Sequence, residues 1–288
     1  MVDGNNTVTT ETPAPSDAAT LTTGMFRRHR FKLGELRRQM IRNRRFREAV
    51  DSDMVVGRAP DYVGVGAQRA GTSRWHKLLT AHPDVVEVTD PSGRIVKEIH
   101  WFDQPLSEEL DARDGAYNAW FQAPVEKTVG EWTPRYLYDL WPIDRLRQVC
   151  PDTKLLVLLR EPVGRMVSAL QFYEQRGIRL DRDSLRESMW RGLYGPQMEF
   201  LLDRWPREQV YVALYEQCSA NPQAELARLY EFLDLDPSFV PEGMDRRVNG
   251  SAKLPIDGSL LNSARSLYEA DRSKLEAILP DIDFTLWN

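Results

Sequence analysis

Short β-branched runs and longer helical segments alternate along most of the chain. The runs predicted to be strands lie at 62–65, 85–88, 128–131, 154–159 and 209–214. Between them, apolar residues recur at spacings of three and four, which is typical of helices with one buried face. Strands that alternate with helices form a parallel sheet that is covered on both faces. The pattern therefore predicts an α/β fold of three layers, α/β/α, around a central parallel sheet.

The strongest strand signal is the continuous apolar run 154–159, which suits a central strand buried on both faces. After Arg160-Glu161-Pro162, the helical spacing predicts a buried face made of Val163, Met166, Val167, Leu170 and Tyr173. Asn221-Pro222 predicts the start of another helix, because asparagine caps helices and proline suits their first turn. Its inward residues are Leu226, Leu229, Tyr230 and Leu233. A last helix is predicted over 262–279, with an inward face of Leu267, Leu275, Ile278 and Leu279.

The segment 62–73, YVGVGAQRAGTS, joins the first predicted strand to a helix through a glycine-containing loop. Such a loop directs backbone N–H groups and the positive end of the helix dipole toward one point, which favours an anion. From Gly66 through Gly71 to Ser73 the spacing matches the nucleotide P-loop G-x-x-x-x-G-K-[ST], except that Thr72 takes the lysine position. The nearest cation is Arg69, inside the loop. The segment predicts a nucleotide-binding fold of the P-loop type, although a turn without a ligand has a similar pattern.

A ligand of such a sheet lies at the carboxyl ends of the strands, where the central strand presents Arg160. An ATP or GTP hydrolase is expected to place an acid for Mg²⁺ at such a strand end. A guanidinium group instead suits a second phosphate, although a structural ion pair with Glu161 is the alternative. No His, Cys or Asp grouping has zinc-like spacing. The implied ligand is a nucleotide with two separated anionic groups and no metal requirement.

Composition limits the class of protein. The chain has 288 residues, 42% of them hydrophobic, which is enough for one large domain and an extension. Its net charge of −5 argues against general nucleic-acid binding by the whole surface. Two cysteines are too few for a disulfide framework, and no apolar run is long enough to span a membrane. These features predict a soluble, cytoplasmic protein.

The chain is predicted to have three parts. Residues 1–25 are polar and predicted to be disordered, 26–53 form a basic amphipathic helical extension, and 54–288 form the globular domain. Within the extension, residues 26–47 carry ten Lys or Arg against one acid. A basic helix of this kind suits peripheral contact with an anionic membrane or nucleic acid. A solvated helix docked on the acidic body is the favoured interpretation, and the oligomeric state is left open.

Three ordered motifs resemble those of one enzyme family. GVGAQRAGTS, KEIHWFD and LLREPVGRMVSALQFY are similar to the phosphosulfate loop, the catalytic acid segment and the 3′-phosphate segment of the PAPS-dependent sulfotransferases. The branch that they resemble includes the heparan sulfate N- and O-sulfotransferases and bacterial relatives, and the similarity covers roughly residues 60 to 255. The resemblance implies the P-loop fold and 3′-phosphoadenosine-5′-phosphosulfate (PAPS) as the donor. It implies transfer of a sulfuryl group to a hydroxyl, less readily an amine, of a glycan, glycolipid or small molecule.

The resemblance also implies residue roles. Glu98 matches the base that takes the acceptor's proton, with His100 as an auxiliary that faces the same way if the segment is extended. The pKa of Glu98 is expected to rise modestly once the substrate excludes water. Arg160 and Ser168 match the pair that recognises the 3′-phosphate. The residues implied to hold the 5′-phosphosulfate are Gln68, Arg69, Ala70, Gly71, Thr72 and Ser73.

Two positions depart from the family pattern. Arg69 stands where the family usually has the lysine that neutralises the leaving oxygen, and Trp132 stands where relatives often have a lysine near the sulfate. Arginine keeps the charge but presents it as a planar fork. Lys253 is the candidate to replace the second lysine, because the family's late loop closes over the cofactor. Trp101, Phe102, Trp120 and Trp132 are otherwise expected to belong to the core.

Two other functions are compatible with the motifs. An ATP-dependent small-molecule kinase would use the same type of sheet, although Thr72 and Arg160 disfavour it. A non-catalytic nucleotide-binding protein that works through its basic helix is the other alternative. These differ from a sulfotransferase in nucleotide preference and in whether Glu98 is needed.

Overall fold

The computed structural model describes residues 43, 57–103, 114–178, 180–244 and 256–287. Most of the globular domain predicted for 54–288 falls within these ranges. The predicted disordered segment 1–25 and, apart from Asn43, the basic extension 26–53 lie outside the described residues. Lys253 lies outside them as well.

A five-stranded sheet forms the centre of the fold. Its strands are β1 (Tyr62–Gly66), β2 (Val85–Val86), β3 (Thr128–Trp132), β4 (Lys154–Leu159) and β5 (Val210–Leu214). Their order is β2-β3-β1-β4-β5, and every neighbouring pair is parallel. The predicted α/β fold with a central parallel sheet is therefore confirmed.

The sheet is buried on both faces where the candidate loop begins. All of β1 is buried, as is β4 from Leu155 onward. Successive residues of a strand point to opposite faces, so elements must pack on both sides of these two strands. β1 lies between β3 and β4, with Tyr62 level with Gly130 on one side and Lys154 on the other. The carboxyl ends of three adjacent strands consequently meet at one edge.

Helices connect the strands and follow the sheet. They are α1 (Thr72–Leu79), α2 (Asp114–Asn118), α3 (Tyr136–Asp139), α4 (Trp141–Val149), α5 (Pro162–Gln175), α6 (Arg182–Trp190), α7 (Tyr194–Leu202), α8 (Tyr215–Ala220), α9 (Pro222–Phe232) and α10 (Gly258–Ile278). The start of α9 agrees with the cap that the residue types favour. Asn221 accepts a hydrogen bond from the amide of Ala224. The Glu161 carboxylate accepts from the amides of Val163 and Gly164, so it caps α5 and is not required as an ion partner of Arg160.

Several local predictions are wrong. The last helix begins at Gly258 rather than at residue 262, and Val167 and Tyr173 of the predicted buried face are only half-buried. Leu267, predicted to face the core from the last helix, is 39% exposed. The buried residues of α10 are instead Ala264, Tyr268 and Leu275. The second strand is shorter than predicted, since it ends at Val86 rather than at Val88. The four tryptophan and phenylalanine side chains expected in the core, Trp101, Phe102, Trp120 and Trp132, are all buried.

Among the helices of the described ranges, none combines the length and the apolar character that a membrane span requires.

Candidate active site

The loop between β1 and α1 is attached to the sheet at one end and leads directly into a helix at the other. The amide of Ala67 donates to the carbonyl of Leu158 in β4 at 2.8 Å, so the loop begins between two buried strands. Gly71 has a φ of 89°, and α1 begins at the next residue. A Cβ at Gly71 would lie 2.9 Å from the ring of Tyr215, so both conformation and space require glycine there. No side chain caps α1, which leaves its first amides available to an anion.

The hydroxyl groups of the loop contact a lysine from a different segment. Lys97 Nζ lies 3.2 Å from Thr72 Oγ1 and 3.3 Å from Ser73 Oγ. The same ammonium group lies 2.9 Å from Glu98 Oε1. One cation therefore joins the loop hydroxyls to the candidate base.

Glu98, His100 and Asp103 form a chain of acid, imidazole and acid beside the loop. His100 Nε2 lies 3.2 Å from Glu98 Oε2, and His100 Nδ1 lies 2.6 Å from Asp103 Oδ2. The segment is not extended, because His100 has a φ of 55°. Glu98 and His100 were expected to face the same way along an extended segment. A turn of the backbone brings them into contact instead.

This arrangement sets the charges of the site. Burial alone would raise the pKa of the Glu98 carboxyl, but the hydrogen bond from His100 and the charge of Lys97 outweigh it and lower that pKa to about 2. Burial would likewise lower the pKa of His100, whereas its bonds to Asp103 and Glu98 raise it to about 9. At neutral pH the ligand-free site therefore holds a carboxylate beside an imidazolium. The raised pKa expected for Glu98 in the presence of substrate is not found in this state, because two cations flank the carboxylate.

A buried carboxyl group holds the catalytic segment in this conformation. Glu131, at the end of β3, accepts hydrogen bonds from the amide of Ile99 at 3.1 Å and from the hydroxyls of Tyr117 and Tyr136. Its neighbour Thr133 donates to Glu131 and accepts from the amide of His100 at 3.2 Å. Burial raises the pKa of Glu131. The end of β3 thus positions the backbone on both sides of the Ile99–His100 peptide.

A second positively charged group includes Arg69 of the loop and Arg160 at the end of β4. Arg69 has a φ of 71°, and its guanidinium group donates to Ser168 Oγ from Nε at 3.3 Å and from Nη2 at 3.2 Å. It also stacks on Phe172, with 4.6 Å between Cζ and the ring centroid. Arg160 donates from Nη1 to the carbonyl oxygen of Arg69 at 3.1 Å and stacks on Tyr215. The structure thus brings Arg69, Arg160 and Ser168 together.

Arg69 lies among other guanidinium groups. Burial lowers the pKa of Arg69, and the nearby cations Arg160, Arg176 and Arg165 lower it further. Neighbouring guanidinium groups repel each other, so an anion bound among them would relieve the repulsion. The group has the composition of a phosphate site.

The other predicted loop residues have different contacts. Gln68 Oε1 accepts from Arg191 Nη1 at 2.6 Å, and Arg191 also pairs with Glu187 at 2.8 Å. The amide of Ala70 donates back to Ala67, inside the loop, at 3.2 Å. The Ala70 amide is therefore already used within the loop.

Trp132 fills space beneath the loop. Its indole N–H donates to the carbonyl of Gly66 at 3.2 Å, and a Cβ at Gly64 would clash with its ring. The amide of Trp132 donates to the carbonyl of Lys97 at 2.8 Å. Trp132 thus supports both the loop and the segment that carries Lys97.

One residue of the basic extension reaches this site. Asn43 is buried and donates from Nδ2 to the carbonyl of His100 at 3.2 Å and, more weakly, to that of Ile99 at 3.5 Å. The catalytic segment is therefore held from a second direction.

Sequence reasoning missed Lys97, Asp103 and Glu131 as parts of the site. All three belong to segments that the sequence singles out, KEIHWFD and Glu131-Trp132-Thr133-Pro134. Lys97 and Asp103 are the first and last residues of the first motif. Their charged residue types were the signal that could have identified them as parts of the site. Within the described ranges, no group of three or more His, Cys, Asp or Glu side chains is placed to hold a metal ion.

Comparisons with known proteins identify the family. A family described as the sulfotransferase family matches residues 60–239, more than half of the chain. Human heparan sulfate glucosamine 3-O-sulfotransferase 3B1 is 26% identical over 195 residues, which cover 61% of this chain and 46% of that protein. Human heparan sulfate glucosamine 3-O-sulfotransferase 6 is 26% identical over 199 residues, covering 62% and 53%. The chain spans about half the length of these curated relatives.

Among solved structures, a sulfotransferase from Alicyclobacillus acidocaldarius has a TM-score of 0.64 and 26% identity. The match covers 79% of this chain and 98% of that one.

Proposed function

The chain belongs to the sulfotransferase family, and we propose that it transfers a sulfuryl group from PAPS to a hydroxyl group of a carbohydrate or other small acceptor. The observation that carries this proposal is the position of Glu98. Its carboxylate shares the Lys97 ammonium group with the hydroxyls of a phosphate-type loop. This contact supports Glu98 as the base for an acceptor that meets an activated group held by the loop.

The described residues fit the two anionic ends of PAPS. The amides at the start of α1 and the hydroxyls of Thr72 and Ser73 would hold the 5′-phosphosulfate. Arg69, Arg160 and Ser168 would hold the 3′-phosphate, and the lowered pKa of Arg69 supports an anion there. When bound, PAPS supplies a sulfuryl group whose bond to the phosphate oxygen breaks, leaving the electron pair on that oxygen, as the acceptor oxygen bonds to sulfur.

Glu98 is proposed to take the acceptor's proton. In the ligand-free site its low pKa makes it a weak base, because the charges of His100 and Lys97 stabilise the carboxylate. An anion at the loop hydroxyls would offset the charge of Lys97, so the pKa of Glu98 would rise when the loop is filled. His100, held by Asp103, orients the carboxylate. The reaction would therefore depend chiefly on the orientation of the reacting groups and on charges that the site already holds before the substrate binds.

The kinase alternative is less well supported. The strand end that would hold an acid for Mg²⁺ presents Arg160, which stacks on Tyr215 and binds the loop backbone. The family match favours sulfuryl transfer over phosphoryl transfer. Independence from metal ions and a cytoplasmic location stay predictions from the sequence.

A glycan hydroxyl is the acceptor class that the relatives favour, since those named above are heparan sulfate glucosamine 3-O-sulfotransferases. Acceptors to be screened are therefore oligosaccharides with free glucosamine hydroxyls first, and phenols and glycolipids second.

The test is calorimetric titration with 3′,5′-diphosphoadenosine in buffer containing EDTA, on the wild type and on Arg160→Ala. We expect binding that Arg160→Ala weakens by about 2 kcal/mol, the scale of a lost charge-assisted contact. Transfer of labelled sulfate from PAPS to the acceptor panel follows under the same conditions. Binding of Mg²⁺-ATP without binding of 3′,5′-diphosphoadenosine would reject the proposal in favour of a kinase.

A further inference from the structure

The nucleotide loop contains no lysine at the position where P-loops carry one, because Thr72 takes that position. A loop of this kind needs a cation at its hydroxyl end, since charge develops on the oxygen that departs from the transferred group. In this structure the ammonium group at that end comes from Lys97, 25 residues after Thr72.

Arg69, the cation within the loop, is directed to another part of the site. Its left-handed backbone is accompanied by two contacts to Ser168 and by stacking on Phe172. Both partners belong to α5. Arg69 thus contributes its charge beside Arg160, whereas Lys97 contacts Thr72 and Ser73.

Lys97 is held in place for this task. Its carbonyl accepts from the amide of Trp132, and its side chain is only 19% exposed. The ring of His76 lies close enough for the charge of Lys97 to act on it. Burial and that charge lower the pKa of His76 to about 4, so His76 is neutral at neutral pH. Among the described residues, Lys97 supplies an ammonium group that contacts the loop hydroxyls.

We propose that Lys97 is a catalytic residue, which donates a hydrogen bond to the departing phosphate oxygen and so replaces the absent lysine of the loop. This inference rests on the proposed function. In the ligand-free site the same ammonium group is paired with Glu98. When the Lys97 ammonium group binds the departing oxygen, it stabilises the Glu98 carboxylate less. This happens at the step in which Glu98 must accept a proton. No proton leaves Lys97, and the electron pair of the broken bond stays on the phosphate oxygen.

In this proposal Lys97 contacts the 5′ end of the nucleotide and Arg69 contacts the 3′ end. Nucleotides that carry a phosphate at only one end can therefore test the two cations separately. Adenosine 5′-phosphate presents an oxygen that corresponds to the departing one, and adenosine 3′-phosphate does not. We expect Lys97→Met to weaken binding of adenosine 5′-phosphate on the order of tenfold to a hundredfold and to leave adenosine 3′-phosphate unchanged. Arg69→Met is expected to have the reverse effect.

Affinities are to be measured by competition against 3′,5′-diphosphoadenosine, with activity recorded in parallel. Lys97→Arg keeps a charge and is expected to restore part of the 5′-phosphate affinity and of the turnover. Lys77→Met is the matched control, because Lys77 is an exposed lysine on α1, and its affinities should equal those of the wild type.

The two proposals fail in different ways. If the wild type does not bind 3′,5′-diphosphoadenosine, the proposed function itself is rejected. If the wild type binds it but Lys97→Met leaves the affinity for adenosine 5′-phosphate unchanged, Lys97 acts only on Glu98 and the inference is overturned. Loss of 5′-phosphate affinity in Arg69→Met with none in Lys97→Met would return the role to Arg69.

Discussion

His100 Nδ1 lies 2.6 Å from Asp103 Oδ2, and the side chain of Asp103 is only 3% exposed. The other ring nitrogen of His100 contacts Glu98. An imidazole between two carboxylates keeps its proton to high pH, because both neighbours stabilise the charged ring. The relationship fixes the orientation of His100 and, through it, that of Glu98.

We expect His100 to titrate near pH 9, because its bonds to Asp103 and Glu98 overcome the effect of burial on its pKa. The measurement is NMR of the imidazole across pH. Asp103→Asn should lower the pKa of His100 by removing one of the two negative partners. A His100 pKa near its ordinary value in the wild type would contradict the bonded geometry.

The same shift predicts how stability depends on pH. The folded-state pKa of His100 is raised above its ordinary value of about 6.5, so its contribution to the free energy of unfolding is complete below that value. It is lost as pH rises through about 9. Denaturation of the wild type and His100→Gln should show a stability difference that shrinks between these two pH values. A difference that grows with pH would contradict this sign.

Glu98→Gln should reduce turnover by about 10²-fold or more, the scale of general base catalysis, because the amide cannot accept the acceptor's proton. Its affinity for 3′,5′-diphosphoadenosine should stay within a few-fold of the wild type, because the 3′-phosphate is proposed to be held by Arg69, Arg160 and Ser168. The measurements are steady-state kinetics and calorimetry. The matched control is Glu126→Gln, an exposed acid between α2 and β3, which should change neither quantity. Full activity in Glu98→Gln would support the non-catalytic alternative.

Gly71→Ala should abolish nucleotide binding. Its φ of 89° is unfavourable for alanine by about 1–2 kcal/mol, and the added methyl would collide with Tyr215. Gly177→Ala provides the matched control, because Gly177 also has a positive φ, 63°, but no atom within 4 Å of an added Cβ. Both variants should lose stability in chemical denaturation, whereas only Gly71→Ala should lose binding in calorimetry. Equal binding in the two variants would show that the loop does not hold the nucleotide.

Asn43→Ala should lower turnover several-fold without changing affinity for 3′,5′-diphosphoadenosine, because Asn43 bonds the backbone of His100 and not the nucleotide loop. A loss of about 1 kcal/mol in the free energy of unfolding is expected from the missing hydrogen bond. Asn262→Ala, an exposed asparagine on α10, serves as the control in both assays. Unchanged turnover in Asn43→Ala would show that this residue of the basic extension does not contribute to the active site.

Much of the fold was predictable because its signals are local. Strand 154–159 and the cap at Asn221 depend on residues close in sequence, and the structure contains them at those places. The exposed face of α10 was not predictable from spacing, because Leu267 has the same period as its buried neighbours. Only the position of the helix relative to α5 and α7 decides which leucines are covered.

Residue patterns along the chain are sufficient to predict the parallel α/β sheet, the loop at the end of β1 and the set of motifs that supplies the site. Those depend on hydrophobic period, glycine positions and motif spacing, which the chain carries locally. Which cation contacts which part of the loop depends instead on how the folded elements pack. Arg69 turns to Ser168 through a left-handed backbone, and Lys97 reaches Thr72 because the end of β3 holds its segment beside the loop. A contact between residues far apart in sequence depends on how whole elements pack, and no local pattern records it.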